Sequence, residues 1–276
     1  MCLFCPGSLS FFCFCLTCGS ILFIFILSDI GKGTAMRKKT CIFLALVLWH
    51  FLTAASAYPE DGNAMVYVVH GIPGLDFGLS PELPLDISVD GECTFQAIKF
   101  GDIMGPISKP PGTYKVAVGL ANSLIPCGTP LYEVDVPLVA GETSSLVIHM
   151  DPNGAPTAHK FACDFSPLVS KKARIILFHT AAASAVDLTF TRTFGKKPYL
   201  VHVEDFNHGD KMALELRSKT WLLEFALPDM GAPLYSKKFK FKDWSAYLLF
   251  VVGTVESETL KILVKRVKGL KPPPEE

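Results

Sequence analysis

Acid and imidazole pairs, cysteines and a run of lysines are the residues of this 276-residue chain whose types and spacing could do chemistry. His70 precedes a Phe100-Gly101-Asp102 segment, and His179 precedes His208-Gly209-Asp210 in the same order. A neutral imidazole beside a carboxylate is the minimum for a general base or a metal ligand. His70, Asp102, His179, His208 and Asp210 are therefore the candidate ligand-binding residues. The blander expectation is structural: a His closing a strand bonds a neighbouring loop, and Gly-Asp before a strand is turn chemistry. The chain contains no Gly-x-Ser-x-Gly elbow, His-Glu-x-x-His helix, phosphate-cradling glycine loop or dinucleotide fingerprint. No catalytic residue, cofactor or metal ion is expected, and the protein is read as a non-enzyme.

Six of the nine cysteines (Cys2, Cys5, Cys13, Cys15, Cys18 and Cys41) fall in the first 41 residues. Cys2, Cys5, Cys15 and Cys18 form two Cys-x-x-Cys pairs. Zinc needs thiolates held by turns and polar partners, and a Phe-rich run supplies neither. The lysines are Lys237, Lys238, Lys240 and Lys242, interleaved with Phe239 and Phe241. On a strand, Lys238, Lys240 and Lys242 share one face and the phenylalanines the other. Lysines on an exposed strand discourage edge pairing, so a solvated face is the default. Docking onto the acidic first repeat, in the same chain or a neighbour, and binding an anionic envelope polymer are the alternatives.

The elements that would hold these residues begin after a leader. From Met36, the basic Arg37, Lys38 and Lys39, an apolar run over residues 41–52 and Ala55-Ser56-Ala57 read as a secretory signal peptide. Cleavage would leave a chain starting at Tyr58 with no membrane span. Residues 1–35 read as an upstream extension attached by a misplaced start. Residues 9–27 are uncharged and long enough to cross a bilayer, so an N-terminal membrane anchor is the alternative.

Beyond the leader the apolar pattern is that of strands: residues 65–70, 85–90, 113–118 and 145–148 are short, β-branched or alternating, and bounded by Gly, Pro or Asp. Asp90-Gly91 and Asp151-Pro152-Asn153-Gly154 read as hairpin turns. The chain also repeats itself. Val68-Val69-His70 recurs as Leu177-Phe178-His179, Leu85-Asp86-Ile87 as Val186-Asp187-Leu188, and Thr113-Tyr114 as Thr220-Trp221. Gly128-Thr129-Pro130-Leu131-Tyr132 recurs as Gly231-Ala232-Pro233-Leu234-Tyr235, and the offset stays between 101 and 109. A period of this length is a tandem duplication rather than a solenoid. The expected fold is all-β, two tandem immunoglobulin-like antiparallel β-sandwiches at 64–166 and 173–270, with a disordered tail at 271–276. Residues 210–227 hold good helix formers, but the repeat maps them onto a segment containing Pro106, Pro110 and Pro111, so strands are expected there too.

These residues resemble the bacterial domain of unknown function numbered 4397. The resemblance lies in the strand ending in His, Leu-Asp-Ile-Ser-Val-Asp-Gly, Phe-Gly-Asp, Pro-Gly-Thr-Tyr-Lys-Val, Gly-x-Pro-Leu and Val-Ala-Gly-Glu. It extends through residues 161–168 and 179–187 to the close at 252–254 and 268–270. It implies an extracytoplasmic immunoglobulin-like sandwich in two copies, and no activity. An insertion near residues 71–84 sets the first repeat apart; the second lacks the Asp-Gly hairpin and the Pro-Gly-Thr turn.

If strands simply alternate direction, Cys93 and Cys163 lie at one end of the first sandwich and Cys127 at the other. The expected disulfide is therefore Cys93–Cys163, leaving Cys127 free or paired between chains. The zero formal net charge conceals an asymmetry. Residues 58–166 hold 4 Lys+Arg against 13 Asp+Glu, and residues 167–276 hold 18 against 12. The acidic first repeat is thus able to dock on the basic second. Nucleic acid is not expected as a partner, because no recognition helix or stacking motif accompanies the lysines. The chain reads as an exported, non-catalytic binding or structural module of the cell envelope, partnered by an envelope protein or anionic envelope polymer. The alternative is an extracytoplasmic hydrolase or metal-binding protein working through the His and Asp loop ends.

Overall fold

Each run of β-branched and aromatic residues forms a strand in the computed structural model, which describes residues 62–273 except 184, 195–196 and 229–231. The leader, its Cys-x-x-Cys pairs and the end of the tail lie outside the described residues. The first repeat has eight strands: β1 (Ala64–His70), β2 (Leu85–Val89), β3 (Glu92–Ile98), β4 (Ile103–Lys109), β5 (Gly112–Leu120), β6 (Tyr132–Leu138), β7 (Thr143–Met150) and β8 (Pro156–Ala162). The second has eight more: β9 (Lys172–His179), β10 (Ala185–Phe194), β11 (Lys197–Asn207), β12 (Lys211–Arg217), β13 (Thr220–Ala226), β14 (Tyr235–Lys240), β15 (Ser245–Val252) and β16 (Lys261–Lys268). The helix formers of residues 211–226 are strands, because their apolar side chains alternate into a sandwich core that overrides intrinsic propensity.

The four sheets run β4-β1-β7-β8, β3-β2-β5-β6, β12-β9-β15-β16 and β11-β10-β13-β14. Adding eight to every strand of the first pair reproduces the second, so the duplication seen in the residues is a duplication of topology. The fold is all-β, with one departure from purely antiparallel sheets: β1 pairs with β7, and β9 with β15, in parallel. A parallel pair needs a long crossover. Here the crossover is the whole of the facing sheet, β2–β3 and β5–β6.

Three apolar cores separate these sheets. Val66 and Val68 of β1 point into the core of the first sandwich with Leu85, Ile87, Val116 and Val118. Ile175 and Leu177 of β9 point into that of the second with Leu188, Phe190, Trp221 and Leu223. The alternate residues, Tyr67 and Val69 on β1, Val147 on β7, Ile176 and Phe178 on β9, and Leu248 and Phe250 on β15, make a third core. The sheets containing β1 and β9 therefore pack face to face, and the described residues form a stack of four β-layers. β1, β7, β9 and β15 are buried on both faces, which explains their unbroken apolar runs.

Polar contacts close the rim of this shared layer. The Lys261 ammonium lies 3.6 Å from the Phe100 ring centroid and donates to the Phe100 carbonyl at 3.2 Å. Lys211 donates to the Ala162 carbonyl at 2.9 Å, and Thr254 to the Asp76 carboxylate at 3.0 Å. The two repeats meet through an apolar core, flanked by an ion pair between Asp164 and Arg174 at 3.1 Å.

Candidate functional site

The two repeats place their His-Asp segments identically. The His70 N–H donates to the Asp102 carbonyl and the Gly101 N–H to the His70 carbonyl; His179 does the same with Asp210 and Gly209. The Asp102 carboxylate accepts the Lys99 N–H, and the Asp210 carboxylate the Asn207 N–H, each at a three-residue turn. His70 Nε2 bonds the Leu83 carbonyl at 2.8 Å, and its Nδ1 accepts the Ile72 N–H at 3.3 Å. Burial pushes the His70 ring down to about 4, so it is neutral. These carboxylates face their own turns and the imidazole faces backbone, so the pairs do not form the dyad a hydrolase would need.

His179 differs from its counterpart. The Leu83 carbonyl that receives His70 belongs to residues 71–84, an insertion the second repeat lacks. His179 is fully buried beside Phe206, and among the described residues neither ring nitrogen has a hydrogen-bond partner. Burial lowers its pKa to about 4, with the neighbouring His208 adding to the effect.

His208 leaves the expected set for a different one. The turn 208–210 after β11 brings it against His149 at the end of β7 and His159 in β8. One ligand nitrogen from each lies within 4.8 Å of the others. His149 and His159 flank the Asp151-Pro152-Asn153-Gly154 turn. The register Val147↔His159 and His149↔Thr157 makes them diagonal neighbours on one face of the hairpin. Val147 on that face belongs to the shared core, so the face is turned toward the second repeat.

The tautomers are fixed by backbone. His149 Nδ1 lies 2.9 Å from the Met150 carbonyl and His208 Nδ1 lies 2.8 Å from the Ala181 carbonyl. A carbonyl only accepts, so both Nδ1 atoms carry hydrogen, and in the neutral imidazole the Nε2 atom is the one that presents a lone pair. His149 Nε2 is 2.7 Å from His159 Nδ1. His208 Nε2 is buried and has no partner among the described residues. Burial lowers His149 to about 3, against the opposing pull of the Met150 carbonyl, and also lowers His159. His149 and His159 escaped the sequence reading, which considered loop ends within one repeat, although the hairpin turn between them was visible.

The cysteines overturn an expectation. The disulfide joins Cys93 to Cys127, and Cys163 is free and buried. Strand alternation placed Cys127 at the far end of the sandwich, but the loop 121–131 instead folds back along the outer face of β2. The Asp86 carboxylate, 2% exposed on that face, draws it there by accepting N–H groups from Asn122 at 3.3 Å and Cys127 at 3.0 Å, and it also accepts the Ala97 N–H of β3 at 2.8 Å. These bonds hold the Asp86 carboxyl below its usual range despite the cost of burial. Cys93, opposite Ser88 of β2, stands on the same face as Asp86 and within reach of the loop. Cys163 bonds Ser145 at 3.3 Å within the shared core, and burial pushes its thiol up to about 11. It is an inert core residue.

Lys237, Lys238 and Lys240 are exposed on β14, the edge of the outer sheet of the second sandwich, while Phe241 is buried. Lys242 is exposed just past the strand. This sheet is not the one that meets the first repeat, so the lysine face is directed to solvent.

The chain is thus a duplicated β-sandwich protein with a histidine cluster at the seam of its repeats. Residues 64–189 match the family model of the Domain of unknown function (DUF4397), spanning the first sandwich and the opening strands of the second. No curated protein matches. Among solved structures, a proposed cell adhesion protein from Bacteroides ovatus aligns at 11% identity over 77% of this chain and 97% of its own, with a TM-score of 0.26. A second from Bacteroides uniformis aligns at 10% identity over 76% and 99%, with a TM-score of 0.22. A streptococcal ancillary pilin aligns at 10% identity over 71% and 62%, with a TM-score of 0.20. Likeness at this level carries nothing about activity or partner. Among the described residues no helix is long and apolar enough to cross a membrane.

Proposed function

We propose that the protein is an exported, non-catalytic binding module of the cell envelope, and that the loop 121–131 is its contact surface. The observation that carries this reading is the loop itself. Cys93–Cys127 and Asp86 tie it down, yet Leu124 is 89% exposed and Ile125 64% exposed, with Leu120 and Leu131 also open to solvent. Large apolar side chains held together in water mark interaction sites more often than accident. A loop already fixed loses little entropy on binding. A disulfide in the fold supports an oxidising, extracytoplasmic setting, in keeping with the signal-peptide pattern.

The partner expected is an envelope protein with an apolar patch. Labelled protein titrated onto washed envelopes of the producing organism should bind saturably. Leu124→Ser/Ile125→Ser should weaken binding by at least about tenfold, the loss expected for burying two such side chains. Failure to saturate, or equal binding by the double variant, would overturn the reading. Loss of binding in Lys238→Glu/Lys240→Glu with steep salt dependence would instead assign an anionic polymer to β14. Export is tested by N-terminal analysis of the secreted chain, which should begin at Tyr58.

A further inference from the structure

We propose that His149, His159 and His208 form a zinc site that joins the two sandwiches. Two ligands come from the β7–β8 hairpin of the first repeat and one from the turn after β11 of the second. The Met150 and Ala181 carbonyls hold the Nδ1 hydrogens of His149 and His208, the outer partnership that orients imidazoles in metal sites. Both Nε2 lone pairs are thereby directed inward. That of His208 is buried without a partner among the described residues, a cost that a bound cation removes.

The three ligand nitrogens lie within 4.8 Å of one another, so a bound ion would draw the widest pair together by up to about 1.5 Å. Two nitrogens bound at 2.0–2.1 Å to a tetrahedral ion stand about 3.3 Å apart. His149 Nε2 and His159 Nδ1 stand 2.7 Å apart, so they need only open by a fraction of an ångström. His159 is exposed and has room to move. The donor set also chooses the ion. Imidazoles favour zinc and its transition-metal neighbours over magnesium and calcium, which take oxygen. Asp151 is the acid whose charge reaches both His149 and His208, but it is committed to its own turn, accepting the Asn153 and Ala155 N–H groups. Three protein ligands leave a fourth position on the solvent side of His159 for water. A bound ion would tie the repeats together at the edge of their shared core.

The test is titration of the full-length protein, stripped with EDTA, by Zn²⁺ in a calorimeter and by Co²⁺ in an absorbance cell. One Zn²⁺ per chain should bind with a micromolar or lower Kd, and Co²⁺ should give the intense visible bands of a four-coordinate site. Zn²⁺ at about 100 times Kd should raise the melting temperature by about 5–10 °C. His159→Ala should weaken Zn²⁺ by at least about 100-fold and abolish the metal-dependent rise in melting temperature. His208→Ala should weaken it likewise, and His202→Ala, on the outer sheet, should not. Binding weaker than about 100 μM, or undiminished in His159→Ala and His208→Ala, would overturn the proposal. So would loss of binding in His202→Ala.

Discussion

His70 and His179 occupy the same place in two copies of one fold, yet among the described residues one has both ring nitrogens bonded and the other has neither. The difference predicts opposite responses to replacement. His179→Leu removes two unpaired buried nitrogens in favour of an apolar group of similar size, so stability at pH 7 should hold or rise by about 1 kcal/mol in urea denaturation. His70→Leu should destabilise, because it strands the Leu83 carbonyl and the Ile72 N–H. His70 also predicts a pH response. It faces the Leu83 carbonyl, Asp102, Lys261 and Phe100, and burial dominates, setting its pKa at about 4 against about 6.5 unfolded. Between those values the unfolded chain holds the extra proton, so stability falls as pH falls. From pH 7 to pH 5 the loss from this ring is about 2 kcal/mol, and His70→Gln should show a correspondingly smaller drop. The His70-Asp102 and His179-Asp210 correspondence was legible because both copies spell it. The cluster of His149, His159 and His208 was not, since it is assembled across the repeats and no repeat register records it.

At the scale of elements, the strands and their duplication could be read from alternation and turn residues. Even a side-chain detail repeats: the Tyr114 hydroxyl donates to the Pro110 carbonyl and the Trp221 indole to the Arg217 carbonyl, each four residues back. What alternation could not show is where a long loop goes. Two backbone donors of the loop 121–131, Asn122 and Cys127, gathered by Asp86, lay it along a sheet instead of across the end of the sandwich, and that brings Cys127 to Cys93. The disulfide spans a sequence separation of 34. In the chain-entropy view its loss costs about 3–4 kcal/mol. Cys93→Ser/Cys127→Ser should therefore unfold at lower denaturant by this amount or less. Limited proteolysis should find new cleavage within residues 121–131, and an unchanged digest would show that Asp86 alone suffices to hold the loop.

At the scale of the molecule, the two repeats meet through a buried sheet-to-sheet contact, beside which Arg174 pairs with Asp164 at 3.1 Å. The signal for it lay in Val66-Tyr67-Val68-Val69, Ile175-Ile176-Leu177-Phe178 and Leu248-Leu249-Phe250-Val251, strands apolar on both faces, which a lone two-layer sandwich has no means to cover. Phe161 of the first repeat meets Phe178 of the second at 5.1 Å between ring centroids, and Phe178 and its sheet neighbour Phe250 are fully buried. Tyr58–Glu276 accordingly forms one compact unit. The most direct test of this shared core is differential scanning calorimetry of the protein and of Phe250→Ala. One transition is predicted, with calorimetric and van't Hoff enthalpies equal, and Phe250→Ala should lower it as a whole by the equivalent of about 3–5 kcal/mol. Two separate transitions in the parent protein, or a shift confined to one of two in the variant, would contradict the account.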